Sequence, residues 1–458
     1  MAAPEVRSSL AGAQDTIAAL ATAPGRSAIA VIRISGRHAF KLSGNLVTTW
    51  PTEARRATLC RISDQSGETI DHGLVTIFPG PDSFTGEDTV EVSTHGGNYV
   101  AARLINALIA LGAREATPGE FTRRAVLNGK LDITQAEAIG DLIDARSKSM
   151  HRAALGQLDG GLSRRIEHLR SQLLSIAAMI AYDIDFPEED DGPVPRDRIA
   201  DETETAVLLL DQMLSTIPAG EMIREGAIVV IAGEPNVGKS SLFNTLLGES
   251  RAIVTEIPGT TRDAIEGFIE TTHWPLRLVD TAGFRETSDR VERMGIEVSE
   301  AYLKRAHIVL ACGDSVASTE RTLRALDGKS TSPTIQVRTK SDLPENETSD
   351  ETGHVRVSAE TGLGLQELLG QIDHSLSETI GTGVADVPIL MRTRHIRAIQ
   401  EARAELKMFD EMWKAKQLPA PVAAVHLQTA IAALEGLVGV VSTEDVLDRV
   451  FSSFCVGK

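Results

Sequence analysis

Positive charge is in short supply in this 458-residue chain: 46 Lys and Arg stand against 64 Asp and Glu, a net charge of −18. That excludes a protein that grips nucleic acid through a general basic surface. Any RNA contact must use a local patch, a partner protein, or both. Cysteine is scarce as well. Cys60, Cys312 and Cys455 are scattered, with no CxxC pair, which argues against a zinc site or a disulfide framework and fits a reducing, cytosolic compartment. Long hydrophobic runs are missing too. No apolar stretch is expected to reach membrane-spanning length. The N-terminus carries Glu5 and Asp15 instead of a basic start followed by an apolar core, so a secretory signal is not expected. The last four residues, Cys455 to Lys458, have the outline of a prenylation box, but a terminal Lys is the wrong final residue. Neither an internal repeat nor a low-complexity tract is visible.

What is present suffices for real cores. Apolar residues make up 42% of the chain, and the length calls for two or three domains. Residues 1–120 read as mixed α and β, with strands over Ala28–Ile34, Gly73–Phe78 and Thr89–Ser93. From 121 the texture is helical. Leu158, Leu162, Ile166, Leu169, Leu173, Ile176 and Ile180 follow steps of three and four and predict one helical face. The acidic run Glu188–Asp191, flanked by prolines, breaks the helix, which resumes through Leu208–Leu210. Between 223 and 378, short apolar strands alternate with helical segments, the rhythm of a mostly parallel sheet. After Pro388 the chain is helical again: Ile396, Ile399, Ala402, Leu406, Phe409 and Trp413 mark one face, and Leu427, Ala430, Ile431, Leu434 and Leu437 another. The expected class is therefore α/β plus all-α, with an α/β module at 223–378 inserted in a helical domain of 121–222 and 379–458, behind an N-terminal α+β domain of 1–120.

The inserted module carries the most specific chemistry. The apolar strand Ala227–Ala232 runs into Gly233-Glu-Pro-Asn-Val-Gly-Lys-Ser240, the G-x-x-x-x-G-K-S phosphate loop between strand and helix. Its backbone N–H groups, from Asn236, Val237 and Gly238 on to Ser241, converge on phosphate oxygens. Lys239 offsets charge on the outer phosphates, Ser240 offers magnesium a hydroxyl, and the helix adds its positive end. Four further fragments follow in the order of a GTPase. Thr261, in Gly259-Thr-Thr-Arg-Asp263, is placed to sense magnesium and the last phosphate. Asp280, ending the strand Leu276–Asp280 before Thr281-Ala282-Gly283, is placed to hold magnesium through water, while Gly283 N–H reports the γ-phosphate. Thr339-Lys340-Ser341-Asp342 follows the strand Thr334–Arg338, and Asp342 can accept two hydrogen bonds from guanine N1 and N2. Ser358-Ala359-Glu360 packs near the base. Position 339 departs from the usual Asn. Phe284 stands where Ras-like proteins have a water-orienting Gln, so hydrolysis needs help from elsewhere; Glu286 and Glu292 are candidates.

Outside that module the chain carries Ala23-Pro-Gly-Arg26 with Arg33-Ile-Ser-Gly36, Phe84-Thr-Gly-Glu-Asp88, His95-Gly-Gly97, Pro118-Gly-Glu-Phe121, Leu127-Asn-Gly-Lys-Leu-Asp132 with Gln135-Ala-Glu-Ala138, and the end Val450–Lys458. Through these markers and the phosphate-loop motifs, the chain resembles the MnmE/TrmE family of tRNA-modifying GTPases along nearly its whole length. The resemblance implies an N-terminal folate-binding-like domain that forms a homodimer, a helical domain, and a Ras-like G domain. It implies a flavin-dependent partner of the MnmG/GidA type in a heterotetramer or larger complex. With it the family adds an aminomethyl or carboxymethylaminomethyl group to carbon 5 of the wobble uridine of certain tRNAs. The one-carbon source is a tetrahydrofolate derivative, 5-formyl- or methylene-tetrahydrofolate.

Carried over residue by residue, Arg33, Glu91, Lys130 and Lys458 are implied to contact folate. A potassium ion is implied at the Asn236 side chain, the backbone of Thr255 and Ile257, and Thr260. The rest of that loop, Glu256, Pro258 and Gly259, lies against the GTP. Glu292 matches the catalytic glutamate acting on the attacking water, and Lys239 and Thr261 keep their phosphate and Mg2+ roles. Arg285 matches a switch arginine of open role. Cys455 reads at least as well as a buried structural thiol as it does as a nucleophile toward the uridine base, and it is not counted among the catalytic residues. Two other readings compete: an Era-like ribosome-assembly GTPase without modification chemistry, and a nucleotide-binding scaffold without turnover.

Overall fold

The computed structural model describes residues 15–185, 196–249, 265–280, 301–343, 353–380, 387–415, 420–439, and 447, 450, 451, 454, 456 and 457. The acidic run Glu188–Asp191 lies outside them. The chain divides into two units, Met1–Gly140 with Glu435–Lys458, and Asp141–Leu434.

The first unit is built on a six-stranded sheet. Its elements are β1 (Ile17–Leu20), β2 (Ile29–Ser35), α1 (Ala39–Gly44), β3 (Thr58–Ser63), β4 (Thr69–Phe78), β5 (Thr89–His95), α2 (Asn98–Ala110) and β6 (Arg114–Glu115), followed by α3 (Glu120–Leu127) and α4 (Ile133–Asp144). The strand order is β3-β4-β5-β2-β1-β6. All pairs are antiparallel except β1 with β6. Alternation explains the layer: Ala30, Ile32 and Ile34 of β2 and Val90 and Val92 of β5 point to one face. There they meet Ala101, Leu104, Ala107 and Leu108, the buried stripe of α2. The intervening residues, Arg33 and Glu91 among them, fall on the other face, half-buried.

The second unit opens with helices α5 (Lys148–Leu158), α6 (Gly161–Asp185), α7 (Arg196–Leu214) and α8 (Ile217–Glu225). The expected face of seven apolar residues spans a break: α5 stops at Leu158, and Gly160, at φ +79°, turns the chain into α6. The steps of three and four run straight across this two-residue turn, so periodicity could not see it. Leu162 to Ile180 are buried as expected. Within Arg196–Glu225 the most apolar 18 residues reach a mean hydropathy of 1.2, the length and composition of a membrane span, but 44% of that stretch is buried inside the protein. Its apolar side is occupied by protein. Ile199, Ala206, Leu210 and Met213 are buried, as in the core helix of a packed bundle.

The α/β module follows: β7 (Ala227–Gly233), α9 (Lys239–Glu249), β8 (Ile265–Glu270), β9 (Pro275–Asp280), β10 (Ile308–Gly313), α10 (Val316–Leu326), β11 (Thr334–Arg338), β12 (Val355–Arg356) and α11 (Leu365–Ile380). The sheet order is β12-β11-β10-β7-β9-β8, parallel throughout except for the β8–β9 hairpin. Central strands β7 and β10 are buried on both faces, which is why they read as unbroken apolar runs. Helices α12 (Thr393–Ala415) and α13 (Ala420–Val438) complete the described elements. On α12, which packs along α7, the buried face begins at His395 and runs through Ile399, Ala402, Leu406, Phe409 and Trp413; Ile396 is only half-buried. The chain that returns before α12 docks on α8, the last helix before the α/β module. There Thr216 accepts a hydrogen bond from Leu390 N–H at 3.1 Å and donates to Pro388 O at 3.4 Å. Gly220 is required beside them, since a Cβ would stand 2.0 Å from Leu390 O.

Candidate functional site

In an open parallel sheet, loops at the carboxyl ends of the strands form the crevice where ligands bind. Here β7, β9, β10 and β11 deliver Gly233, Asp280, Gly313 and Arg338 to that edge. Between β7 and α9 the loop turns through two left-handed residues, Asn236 at φ +66° and Gly238 at φ +96°. Such a turn lets successive N–H groups point into one concavity. Gly233 must lack a side chain, because a Cβ would lie 2.5 Å from Cys312 O on the neighbouring strand. Lys239 is buried, and its Nζ donates to Glu234 O at 2.8 Å. Ser240 Oγ donates to Asp280 Oδ2 at 2.7 Å. The two expected magnesium residues from distant segments therefore stand side by side, a hydroxyl and a carboxylate oxygen of the hard kind that suits Mg2+.

Loops on the base side are tied to the phosphate loop. Thr339 is buried. Its N–H donates to Gly313 O at 2.9 Å, and its hydroxyl donates to the Val237 and Gly313 carbonyl oxygens. Lys340, at φ +53°, lays its stem beside Gly238 and donates from Nζ to Asn236 O at 2.8 Å and to Asp314 Oδ2 at 3.2 Å. Ser341 is held by Val357 O through its N–H and by Arg338 O through its hydroxyl, leaving Asp342 exposed at the rim. Ser358 Oγ accepts the N–H groups of Glu360 and Thr361, and Ala359 O accepts from Thr245 Oγ1. The structure thus brings Asn236 to Ser241, Asp280, Thr339 to Asp342, and Ser358 with Ala359 to one end of one sheet.

One part of this edge escaped the sequence. Glu234 receives two hydrogen bonds from the Arg321 guanidinium, at 2.8 and 2.9 Å, and one from Ser318 Oγ at 2.8 Å. Those bonds, Arg321 first, hold its carboxyl down at about 2. They anchor the second residue of the phosphate loop to α10. The phosphate-loop pattern allows any residue there, so no signal in the pattern marked it.

Thr255, Glu256, Ile257, Pro258, Gly259, Thr260, Thr261, Thr281, Ala282, Gly283, Phe284, Arg285, Glu286, Glu292, Cys455 and Lys458 lie outside the described residues. Of the four implied potassium ligands only Asn236 is described. Among the described residues no group of three or more His, Cys, Asp and Glu could hold a metal ion.

The implied folate residues belong to the first unit. Arg33 and Glu91 are register partners on β2 and β5. Arg33 Nε donates to Glu91 Oε1 at 2.9 Å, and a second nitrogen reaches it at 2.8 Å. The guanidinium lies 5.6 Å from the Phe84 ring centroid and 5.8 Å from that of Phe121, within cation–π range of both. Exposed Lys130 lies along Gly86, on the same short loop as Phe84. Beneath that loop is a charged cluster that the sequence did not disclose. Arg124 binds Asp15 at 2.9 Å, Glu87 at 3.1 Å and Glu120 at 3.0 Å. Arg114 binds Asp15 and Glu120, each at 2.7 Å. Burial alone would raise Glu120, but hydrogen bonds from Arg114, Thr117 N–H and Arg124 bring it down to about 2. Gly457, at φ +96°, sits against β1, where a Cβ would meet Leu20 O at 2.3 Å.

With this geometry in view, comparison with known proteins is informative. Residues 133–455 match the family model described as the MnmE helical domain, and residues 16–130 match that of the GTP-binding protein TrmE N-terminus. The tRNA modification GTPase MnmE of Akkermansia muciniphila is 42% identical over 446 residues, covering 97% of this chain and 99% of the relative. That of Aquifex aeolicus is 40% identical over 451 residues, covering 97% and 100%. Among solved structures, the G domain of the T. maritima FeoB iron transporter aligns with 33% of this chain and 99% of its own at 28% identity, with a TM-score of 0.27.

Proposed function

The chain belongs to the MnmE family of tRNA modification GTPases, a GTP hydrolase acting in tRNA modification, and on that premise we propose that its hydrolysis is stimulated by potassium and drives wobble-uridine chemistry with a folate one-carbon unit. The observation that carries the reading is the convergence of the phosphate loop, the Ser240–Asp280 pair and the Thr339–Asp342 loop at one sheet edge. Lys239 and the loop N–H groups take the phosphates, and Asp342 accepts guanine N1 and N2. Ser240, with Thr261, holds Mg2+, which offsets charge on the β and γ oxygens when bound. Asn236, with Thr255, Ile257 and Thr260, holds K+, which supplies the charge an arginine finger would bring. Glu292 orients the attacking water, the task Phe284 cannot perform.

In the first unit, Arg33, Glu91, Lys130 and Lys458 bind a tetrahydrofolate derivative. Guanidinium and ammonium groups suit its glutamate tail, and a carboxylate suits pterin N–H groups. A homodimer through residues 1–120 and a flavoprotein partner of the MnmG/GidA type complete the working assembly on tRNA. The helical domain of the proposal is 121–222 with 379–458, and the G domain 223–378.

GTP turnover in KCl and in NaCl at equal ionic strength tests the ion. The expected outcome is a rise of at least about tenfold in potassium; equal rates would remove potassium from the mechanism. Nucleoside analysis of tRNA from a deletion strain tests the chemistry: wobble uridines should lose their carbon-5 group, and this chain should restore it.

A further inference from the structure

The Phe84–Glu87 loop is held far more firmly than a surface turn requires. Thr85 and Ser35 are both fully buried, and their hydroxyls bond to each other at 2.7 Å. Ser35 Oγ also donates to Glu87 Oε2 at 2.8 Å, and the buried Arg124 grips the same carboxylate. From outside, Asn128 Nδ2 donates to Thr85 O at 2.7 Å. Gly86, at φ +78°, has no room for more, since a Cβ would stand 3.0 Å from the Asn128 side chain. Buried ion pairs are weak contributors to net stability, because desolvation cancels much of their attraction; what they can supply is one defined geometry. The geometry set here concerns Phe84. Its neighbours Ser83 and Thr85 are buried, yet Phe84 is 39% exposed. Its ring stands 5.6 Å from the Arg33 guanidinium, beside the Arg33–Glu91 pair, and Lys130 flanks the same loop.

We propose that Phe84 is a ligand-contacting residue: its exposed ring forms the aromatic wall on which the flat pterin of a bound reduced folate lies, and the Ser35–Glu87–Arg124 network holds that wall in place. The inference rests on the folate reading of Arg33, Glu91 and Lys130. A conjugated ring offers a partner of matching shape to Phe84, and offset stacking adds to the area it buries. Phe121, the other ring near Arg33, is fully buried and offers no such surface. Because Phe84 is substantially exposed, its replacement leaves the core intact.

Equilibrium dialysis of the full-length protein with 5-formyltetrahydrofolate tests the assignment. Phe84→Leu should bind about tenfold more weakly than the wild type, and Phe84→Tyr within about twofold of it, with unchanged melting temperature in both. Wild-type binding with Phe84→Leu equally tight would overturn the role of Phe84 and leave the folate reading standing. A wild type that binds no folate would sink that reading, and this inference with it.

Discussion

The Thr339 hydroxyl donates to the carbonyl oxygen of Val237, joining two loops 102 residues apart in the chain. Thr339 N–H and the same hydroxyl also reach Gly313 O, so one small side chain ties the base-side loop, the phosphate loop and the end of β10 together. This is the position where the usual residue is Asn. The bridge is therefore made here with a hydroxyl.

Thr339→Val keeps the shape and deletes that bridge. The buried Val237 carbonyl then loses its donor, a cost of about 1–3 kcal/mol. GTP affinity, measured by titration with a fluorescent analogue, should fall about tenfold or more. Thr339→Ser, which keeps the hydroxyl, should stay near the wild type. Equal affinity for Val and Thr would show that the tie is incidental.

The Ser240–Asp280 pair predicts a metal dependence. Removing magnesium with a chelator should weaken GTP binding by the wild type at least about tenfold. Ser240→Ala should bind weakly with or without the metal, so its affinity should respond little to chelation. A full magnesium response in Ser240→Ala would take the hydroxyl out of the metal's coordination.

Glu120 makes acid stability of the first unit a local matter. Its carboxyl is buried, yet three donors bring it down to about 2 from an ordinary 4.5. A carboxyl lowered in the folded state adds stability above its unfolded value, and that share is lost as pH falls through the folded value. The stabilisation should therefore be full above about 4.5 and fade toward about 2. Glu120→Gln should lower the melting temperature at neutral pH and narrow its gap from the wild type as pH drops through that window. A gap that stays constant from pH 6 down to pH 2, on the same scale, would contradict this.

Cys312 should be chemically silent. Complete burial pushes its thiol up to about 12, Asp280 adds to the rise, and Lys239 only partly opposes it. Since the thiolate is the reactive form, iodoacetamide at neutral pH should leave Cys312 unmodified in the native protein and alkylate it in denaturant, as read by mass spectrometry. Rapid native labelling would mean that β10 is accessible.

Legibility of the molecule followed the reach of each interaction. Gly233 to Ser240 could be read because phosphate binding prescribes residue types at fixed spacing, and the strand Ala227–Ala232 before it because a strand buried on both faces is a continuous apolar run. Glu234 with Arg321, and Arg124 with Asp15 and Glu87, could not. These pairs join segments far apart in sequence, and before folding each residue is one charge among 110 Lys, Arg, Asp and Glu. Local breaks hid for another reason: the α5–α6 turn preserves the three-and-four spacing, so only Gly160, at its left-handed φ, marks it. On α12 a fully buried His395 takes the place expected of Ile396 because packing selects the position on the face, and hydropathy reports it only on average.

Helix α8, which runs through Gly226 into β7, also receives the returning chain: Thr216 at its start bonds to Pro388 and Leu390, and Arg224 near its end bonds to Met391 O. The helix that sends the chain out is the one that takes it back. Pro388–Met391 is therefore docked by residues that all precede the α/β module in the chain, so the return point is set before that module is made.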